Sequence, residues 1–271
     1  MRIVTFSLNG SIQHGVRTER GIRVHPTATS AVDLAVNAAD HPAGEEIAVA
    51  DVTLLAPVPR PGKVICIGLN YRAHAAEGGF EVPDYPSVFL RGPTSLGGPD
   101  AAIILPACSD KLDFEAELAV VIGKTATNVR ENALDYVAGY CCFNDGTIRD
   151  YQRKTTQWTS GKNFDQTGGF SADLVTPDEL PAGASGLRIQ SRLNGEIMQD
   201  SNTGDLIFDV AALIVTLSEA MTLEPGDVIA TGTPSGVGYA RKPPVFMREG
   251  DVLEVEIERI GLLSNTVGRR A

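Results

Sequence analysis

The chain has 271 residues, 43% of them hydrophobic, enough for one large core or for a core with a small appendage. Lys and Arg number 23 against 34 Asp and Glu, a formal charge of −11 with no basic block, which argues against a nucleic-acid partner because phosphate contacts need clustered cations. No window approaches the ~18 apolar residues of a membrane span, and Met1 opens a polar strand-like segment, so a cytoplasmic protein with no membrane partner is expected.

In chain order, residues 1–60 read as a small α+β unit. Arg2–Leu8 has the look of a strand, and Ser30–Asp40 predicts a helix opened by Ser30 with Asp33 at capping-box spacing. Pro57, Pro59 and Pro61-Gly62 then make a stiff extended connector, which marks a domain boundary and leaves residues 61–271 as the larger domain. There, Lys63–Gly68, Ser87–Arg91, Phe114–Ile122, Gly139–Asn144, Leu187–Leu193, Val228–Thr231 and Val252–Ile257 are short apolar or alternating runs bounded by turn residues, and predict strands. Asn194-Gly195 predicts a type I′ hairpin between Leu187–Leu193 and Glu196–Gln199. One long helix is expected at Asp209–Met221, where Val210, Leu213, Ile214, Leu217 and Met221 recur at helical spacing. Shorter helices are expected at Glu131–Val137 and Ile148–Thr155. Many strands and few helices give an α+β, β-rich fold, a barrel or roll with a small N-terminal α+β domain. Cys66, Cys108, Cys141 and Cys142 are irregularly spaced and lie in or beside apolar runs, which predicts buried free thiols rather than disulfides or a zinc ribbon.

The segment from Asp113 to Gly123 carries the most chemistry. On a strand, Phe114, Ala116, Leu118, Val120 and Ile122 share one face, while Glu115 and Glu117 share the other, ~7 Å apart along the backbone. Two such glutamates could simply be solvated. Ala119, Val121 and Gly123 continue their face without polarity, however, so both faces read as buried, and two buried like charges need a cation. Asp145, at the end of the apolar run Cys141–Asn144, offers a third carboxylate, or else an ordinary turn aspartate. His14, His25 and His41 all fall in the N-terminal unit, which leaves only His74 in the larger domain and disfavours a multi-histidine zinc or iron site. Three carboxylates without histidine or thiolate suit a hard octahedral cation such as Mg²⁺ or Mn²⁺.

His74 and Glu77 are neighbours on a helical turn. They could be a surface pair, or a carboxylate-oriented imidazole serving as general base, and Gly78-Gly79 would let that segment hinge as a lid. The glycine-rich run Thr231–Gly238 could cradle an anion with backbone N–H groups, though it lacks the phosphate-loop lysine. Lys162 alone reads as a solvated loop lysine. No G-x-S-x-G elbow is present, which disfavours a serine triad of the α/β-hydrolase kind.

Several of these segments recur together in a known order. They are G-x-N-Y-x-x-H with Glu at H+3 (Gly68 to Glu77), the E-x-E strand, Asn144-Asp145 followed by Arg149-Asp150-x-Gln152, Gly161-Lys162, Leu193–Glu196, and Thr231–Pro234 after Pro225–Asp227. In that order and spacing, from about Lys63 to Val267, the sequence resembles the fumarylacetoacetate hydrolase family, in its acylpyruvase-like and 2-hydroxyhepta-2,4-diene-1,7-dioate isomerase-like branch. The resemblance implies a mixed β-roll catalytic domain, a homodimer, and a place in aromatic catabolism. It implies Glu115, Glu117 and Asp145 as ligands of Mg²⁺ or Mn²⁺, His74 and Glu77 as a water-activating dyad on a lid, and Lys162 as the stabiliser of developing negative charge. Arg149, Gln152 and Thr233 would contact the oxygens of a small 2-oxo acid substrate.

The activity expected first is hydrolysis of the C–C bond of a β-diketo acid, an acylpyruvate such as fumarylpyruvate or maleylpyruvate. Isomerisation or decarboxylation of a 2-oxo, 2-hydroxy-dienoic or oxaloacetate-like acid is the same-class alternative. A metal-stabilised binding protein without catalysis is the different-class one, and it would be expected to have lost His74, Glu77 or Lys162. One departure stands out: position 69 is Leu, where many such relatives carry Arg. That removes a cation from the lid base, which argues against the smallest dicarboxylate substrates, and Arg91 or Arg72 could substitute for it.

Overall fold

Residues 1–79 and 81–269 are described by the computed structural model. The strand Ala116–Ile122 is buried along its whole length and lies at the centre of the fold. Leu118, Val120 and Ile122 enter one core with Ile65, Ile67, Leu213, Leu217, Val255 and Leu263, while Ala119 and Val121 enter another with Ile3, Leu34, Val64 and Phe143. A strand covered on both faces must be apolar on both, which accounts for the run from Leu118 to Ile122.

Around it runs a large mixed sheet. Ala116–Ile122 pairs antiparallel with Val137–Asn144 on one side and with Val228–Ala230 on the other. Val228–Ala230 runs parallel to Val64–Gly68, and Ser87–Arg91 closes that edge. The N-terminal unit joins the same sheet, because Arg2–Leu8 pairs with Asp173–Val175, which in turn pairs with Val137–Asn144. A second sheet of five strands is built around Arg188–Leu193, Glu196–Asn202, Val252–Ile257 and Gly261–Arg269. The helix Val210–Ala220, capped by Asp209 on the Ala212 N–H, packs Leu213, Ile214 and Leu217 into the first core. The protein is thus β-rich with few helices, as its patterning predicts. None of the described helices is long and apolar enough to cross a membrane.

Some expected elements differ in extent. The helix expected at Ser30–Asp40 is Ala31–Val36, capped by Ser30, followed by a 3₁₀ turn at Ala38–Asp40. Ala31, Val32 and Leu34 are buried and Ala35 and Val36 pack against the same core, but no residue after Val36 does, so little holds a longer helix. Ile148–Thr155 contributes one turn, Arg149–Gln152, and Glu131–Val137 contributes a 3₁₀ turn at Ala133–Tyr136. The hairpin at Asn194-Gly195 forms with both residues at positive φ, as a type I′ turn requires. Cys66, Cys141 and Cys142 are buried free thiols, but Cys108 is exposed, because its apolar run Ile103–Leu105 ends three residues before it.

Candidate active site

Strand register builds the acidic centre. Ala116 pairs with Asn144, and the Asp145 N–H donates to the Glu115 carbonyl at 3.0 Å, so the two strands bring their acidic ends together. A carboxylate oxygen from each of Glu115, Glu117 and Asp145 lies within 4.8 Å of the others, and all three residues are buried. Gly146 lets the chain turn away at once: a Cβ there would stand 2.0 Å from the Thr167 carbonyl oxygen.

Three cations brace this centre. Lys162 Nζ is 2.6 Å from Glu115 Oε2 and 2.6 Å from Asp145 Oδ2. Arg91 Nη1 donates to Asp145 Oδ1 at 2.5 Å, and its other donors go to Ser95 and Thr167. Arg149 Nε donates to Asp113 Oδ2 at 2.7 Å, while its Nη2 lies 2.7 Å from Glu115 Oε1. That last contact is an ion pair outside hydrogen-bond geometry, so Nη2 is a buried donor with no hydrogen-bond partner among the described residues.

Four carboxylates, Asp113, Glu115, Glu117 and Asp145, therefore face three cations. Glu117 is the one without a cationic partner among the described residues; it accepts only the Gly232 N–H, at 3.0 Å. Burial, then the carboxylates of Asp145 and Glu115, push its carboxyl well above the ordinary range. Burial would also raise Glu115, but Lys162 and Arg149 outweigh it and hold that group low. Lys162 is itself disfavoured by burial, yet Asp145 and Glu115 keep its ammonium above its ordinary value. An unpaired buried carboxylate costs several kcal/mol. The oxygen-only donor set and the one uncompensated charge fit a hard divalent cation, whose two charges would leave the centre with one net positive charge, suited to an anionic acid.

The dyad is formed. The helix Arg72–Glu77 buries His74, and His74 Nδ1 is 3.1 Å from Glu77 Oε2. Glu77 Oε1 accepts the Gly236 N–H at 3.0 Å, which ties this helix to the glycine-rich loop. Partial burial favours the neutral acid, but the bonds from His74 and Gly236 prevail and lower the Glu77 carboxyl. Two more of the loop's N–H groups go to the protein's own carboxylates, Gly232 to Glu117 and Gly238 to Asp113, which also takes that of Tyr239. These N–H groups are thus spent on the protein's own carboxylates.

His74, Glu115, Glu117, Asp145, Arg149, Gln152, Lys162 and Thr233 line one cavity of about 170 Å³, with Ile67, Leu69, Phe89 and Trp158 as its apolar wall. Gln152 Oε1 accepts from Arg149 Nη1 at 3.0 Å, and the Thr233 hydroxyl accepts from Gln199 Nε2 at 2.7 Å. A profile described as fumarylacetoacetate (FAA) hydrolase C-terminal matches residues 63–268, and one described as Rv2993c-like, N-terminal matches residues 1–57. This chain belongs to the fumarylacetoacetate hydrolase family.

Among its relatives, oxaloacetate tautomerase Fahd2a, mitochondrial, of Rattus norvegicus is 46% identical over 218 residues, spanning 80% of this chain and 69% of the relative. Oxaloacetate tautomerase YisK of Bacillus subtilis is 44% identical over 225 residues, spanning 81% and 74%. The solved structure of 5-carboxymethyl-2-hydroxymuconate delta-isomerase from Mycobacterium smegmatis superposes with a TM-score of 0.85 at 33% identity, covering 100% of both chains.

Two readings made from residue type alone give way here, while Lys162 does lie beside the acidic triad as the resemblance implies. Lys162 is not solvated but 2% exposed, locked between two carboxylates. Neither Arg91 nor Arg72 replaces the cation missing at Leu69. Arg91 is buried and spends its donors on Asp145 and its surroundings, while Arg72 is exposed and does not line the cavity. Asp113 went unassigned, although the alternation that aligns Glu115 with Glu117 also includes it. It fixes Arg149 and, through two backbone N–H groups, the Gly238-Tyr239 turn. Tyr239 and Trp158 gave no sequence signal, since their roles come from cavity position alone. Gly68 makes room for Trp158, whose ring a Cβ at that position would meet at 2.0 Å.

Proposed function

We propose that this chain is a divalent-metal-dependent keto–enol tautomerase of a small 2-oxo acid, with oxaloacetate as the type substrate and Mg²⁺ or Mn²⁺ as the metal. The observation that carries the reading is the cavity. At about 170 Å³ it lies below the ~300–1,000 Å³ of sites for larger ligands, and it places a buried acidic triad, the Arg149 and Lys162 cations paired to it, and an oriented histidine around a small volume. The similarity to two oxaloacetate tautomerases supports it. Glu115, Glu117 and Asp145 would hold the metal, which would supply Lewis acidity toward the 2-oxo acid.

The protein's own groups do the rest. Arg149, Gln152 and Thr233 border the space in which the substrate carboxylate would lie. Lys162 keeps positive charge beside the oxygen on which enolate charge develops. Glu77 fixes His74 through Nδ1, which leaves Nε2 to move a proton to and from C3. The proton taken from the enol oxygen and the one given to C3 balance, and no water is consumed.

Hydrolysis of a short acylpyruvate is the second reading. The dyad does not decide between the two, because an imidazole oriented by a carboxylate serves equally to activate water or to carry a proton. The small cavity favours the reaction without an acyl leaving fragment. Loss of the enol absorbance of oxaloacetate, followed with Mg²⁺ present, tests the choice. Accelerated ketonisation, reduced roughly 10²–10⁴-fold by His74→Ala, is the expected result. No acceleration, together with cleavage of an acylpyruvate to pyruvate, would transfer the chain to the hydrolase reading.

A homodimer belongs to the same proposal. Ser87–Arg91 is an edge strand, and it exposes Val88 and Leu90 by 39% and 47%, an apolar edge that a second copy would cover.

A further inference from the structure

The cavity contains three cationic side chains, and two are already committed. Lys162 is held by Glu115 and Asp145, and Arg149 by Asp113 and Glu115. The third, Arg153, is exposed and yet lines the cavity, and it has no carboxylate partner among the described residues. It caps the turn Arg149–Gln152, so it follows Arg149 by four residues and lies on the same side of that turn. Both guanidinium groups rest against one ring: the carbon of Arg149 is 4.4 Å from the Tyr239 centroid and that of Arg153 is 4.6 Å. A guanidinium seated on an aromatic ring is partly immobilised before a ligand arrives, while its N–H edge stays open to a carboxylate. Much of the remaining wall, Ile67, Leu69, Phe89 and Trp158, offers no charge.

We infer that Arg153, seated on Tyr239, is a specificity-determining residue that receives the distal carboxylate of a dicarboxylic 2-oxo acid whose other end lies at the Glu115–Glu117–Asp145 centre. This deepens the tautomerase reading and rests on it for the placement of the 2-oxo end. It makes the site selective for dicarboxylic over monocarboxylic 2-oxo acids.

Binding without turnover tests it. Trp158 is the single tryptophan of the chain and lines the cavity, so its fluorescence reports occupancy. With Mg²⁺ present, 2-oxoglutarate and 2-oxopentanoate, which differ only in the distal carboxylate, are titrated into the wild type, Arg153→Gln and Arg153→Glu. The wild type is expected to prefer 2-oxoglutarate by roughly 10-fold or more, the worth of a charged hydrogen bond. Arg153→Gln should bring the ratio to about one, and Arg153→Glu should invert it. Equal affinities in the wild type, or a preference that survives both substitutions, would overturn the inference and leave Arg153 as a solvated arginine resting on a ring. The ratio is independent of turnover. A protein that shows it but does not ketonise oxaloacetate would refute the tautomerase reading and keep the dicarboxylate site.

Discussion

Glu117 separates the two demands on this protein. It is buried, has no cation of its own, and has its carboxyl pushed up by burial and by Asp145 and Glu115. A fold selected for stability alone would place a neutral group there. Glu117→Gln keeps an oxygen for the Gly232 N–H and removes the charge, so without metal this variant is expected to be more stable than the wild type by about 1 kcal/mol, a rise in Tm of roughly 2–4 °C. Added Mg²⁺ should stabilise the wild type and leave the variant nearly unmoved. Thermal unfolding in EDTA and in Mg²⁺ reads both, and equal responses to Mg²⁺ would show that Glu117 holds no metal. At this scale the sequence is informative where chemistry depends on spacing. The two-residue period aligns Glu115 with Glu117, and i to i+3 joins His74 to Glu77. Spacing alone does not show the bracing roles of Arg91 and Lys162, the latter named only through the family resemblance, because what makes each a buried brace is the approach of Asp145 from another strand, a tertiary fact.

The helix Arg72–Glu77 carries the histidine on which the proposed proton transfer depends. Six residues long, it buries only His74 and Ala75, and Gly78 and Gly79, the latter at φ +76°, release the chain directly after it. One bond from the Gly236 N–H to Glu77 ties its far end to the glycine-rich loop. So little buried area predicts marginal closure in the free protein. Hydrogen exchange over residues 72–85, of which Phe80 lies outside the described ones, should slow when oxalate is added with Mg²⁺ and not with Mg²⁺ alone. Equal protection in both states would show a prebuilt dyad and remove the lid.

The first hairpin carries a different test. Burial lowers the His14 imidazole against the opposing Thr29 carbonyl and Asp33 charge. The folded chain thus holds His14 neutral, while the unfolded chain takes up a proton near pH ~6.5. With more protons on the unfolded state, stability is complete above that value and falls as pH drops below it toward the folded value. The denaturation midpoint should fall between pH ~7 and ~5, and His14→Gln should flatten that part of the curve. Parallel curves would assign the pH dependence elsewhere. Strands with an apolar or alternating pattern were legible, among them Val64–Gly68, Ser87–Arg91 and Val252–Ile257. Short ones such as Gly168–Phe170 and Asp173–Val175 were not, since neither is long enough to show a period and both exist only because a neighbour pairs with them.

Across the whole molecule, one antiparallel pair sets the site. The register of Ala116–Ile122 against Val137–Asn144 gathers the acidic triad, the turn after Asn144 leads to Arg149 and Arg153, and Val228–Ala230 delivers the loop that holds Glu117, Asp113 and Glu77. The order of these motifs along the chain was readable and placed the protein in its family. The reaction was not, because hydrolysis, decarboxylation and tautomerisation share this grip on a 2-oxo acid. On the proposed function, the triad loaded with a divalent cation labilises the C3 protons of a 2-oxo acid. Proton NMR of a stable 2-oxo acid in D₂O measures this directly. Wild-type protein with Mg²⁺ should speed exchange at C3, EDTA should stop it, and Glu117→Ala should abolish it. Exchange that persists in Glu117→Ala, or wild-type protein that leaves C3 unexchanged while cleaving an acylpyruvate, would contradict the account.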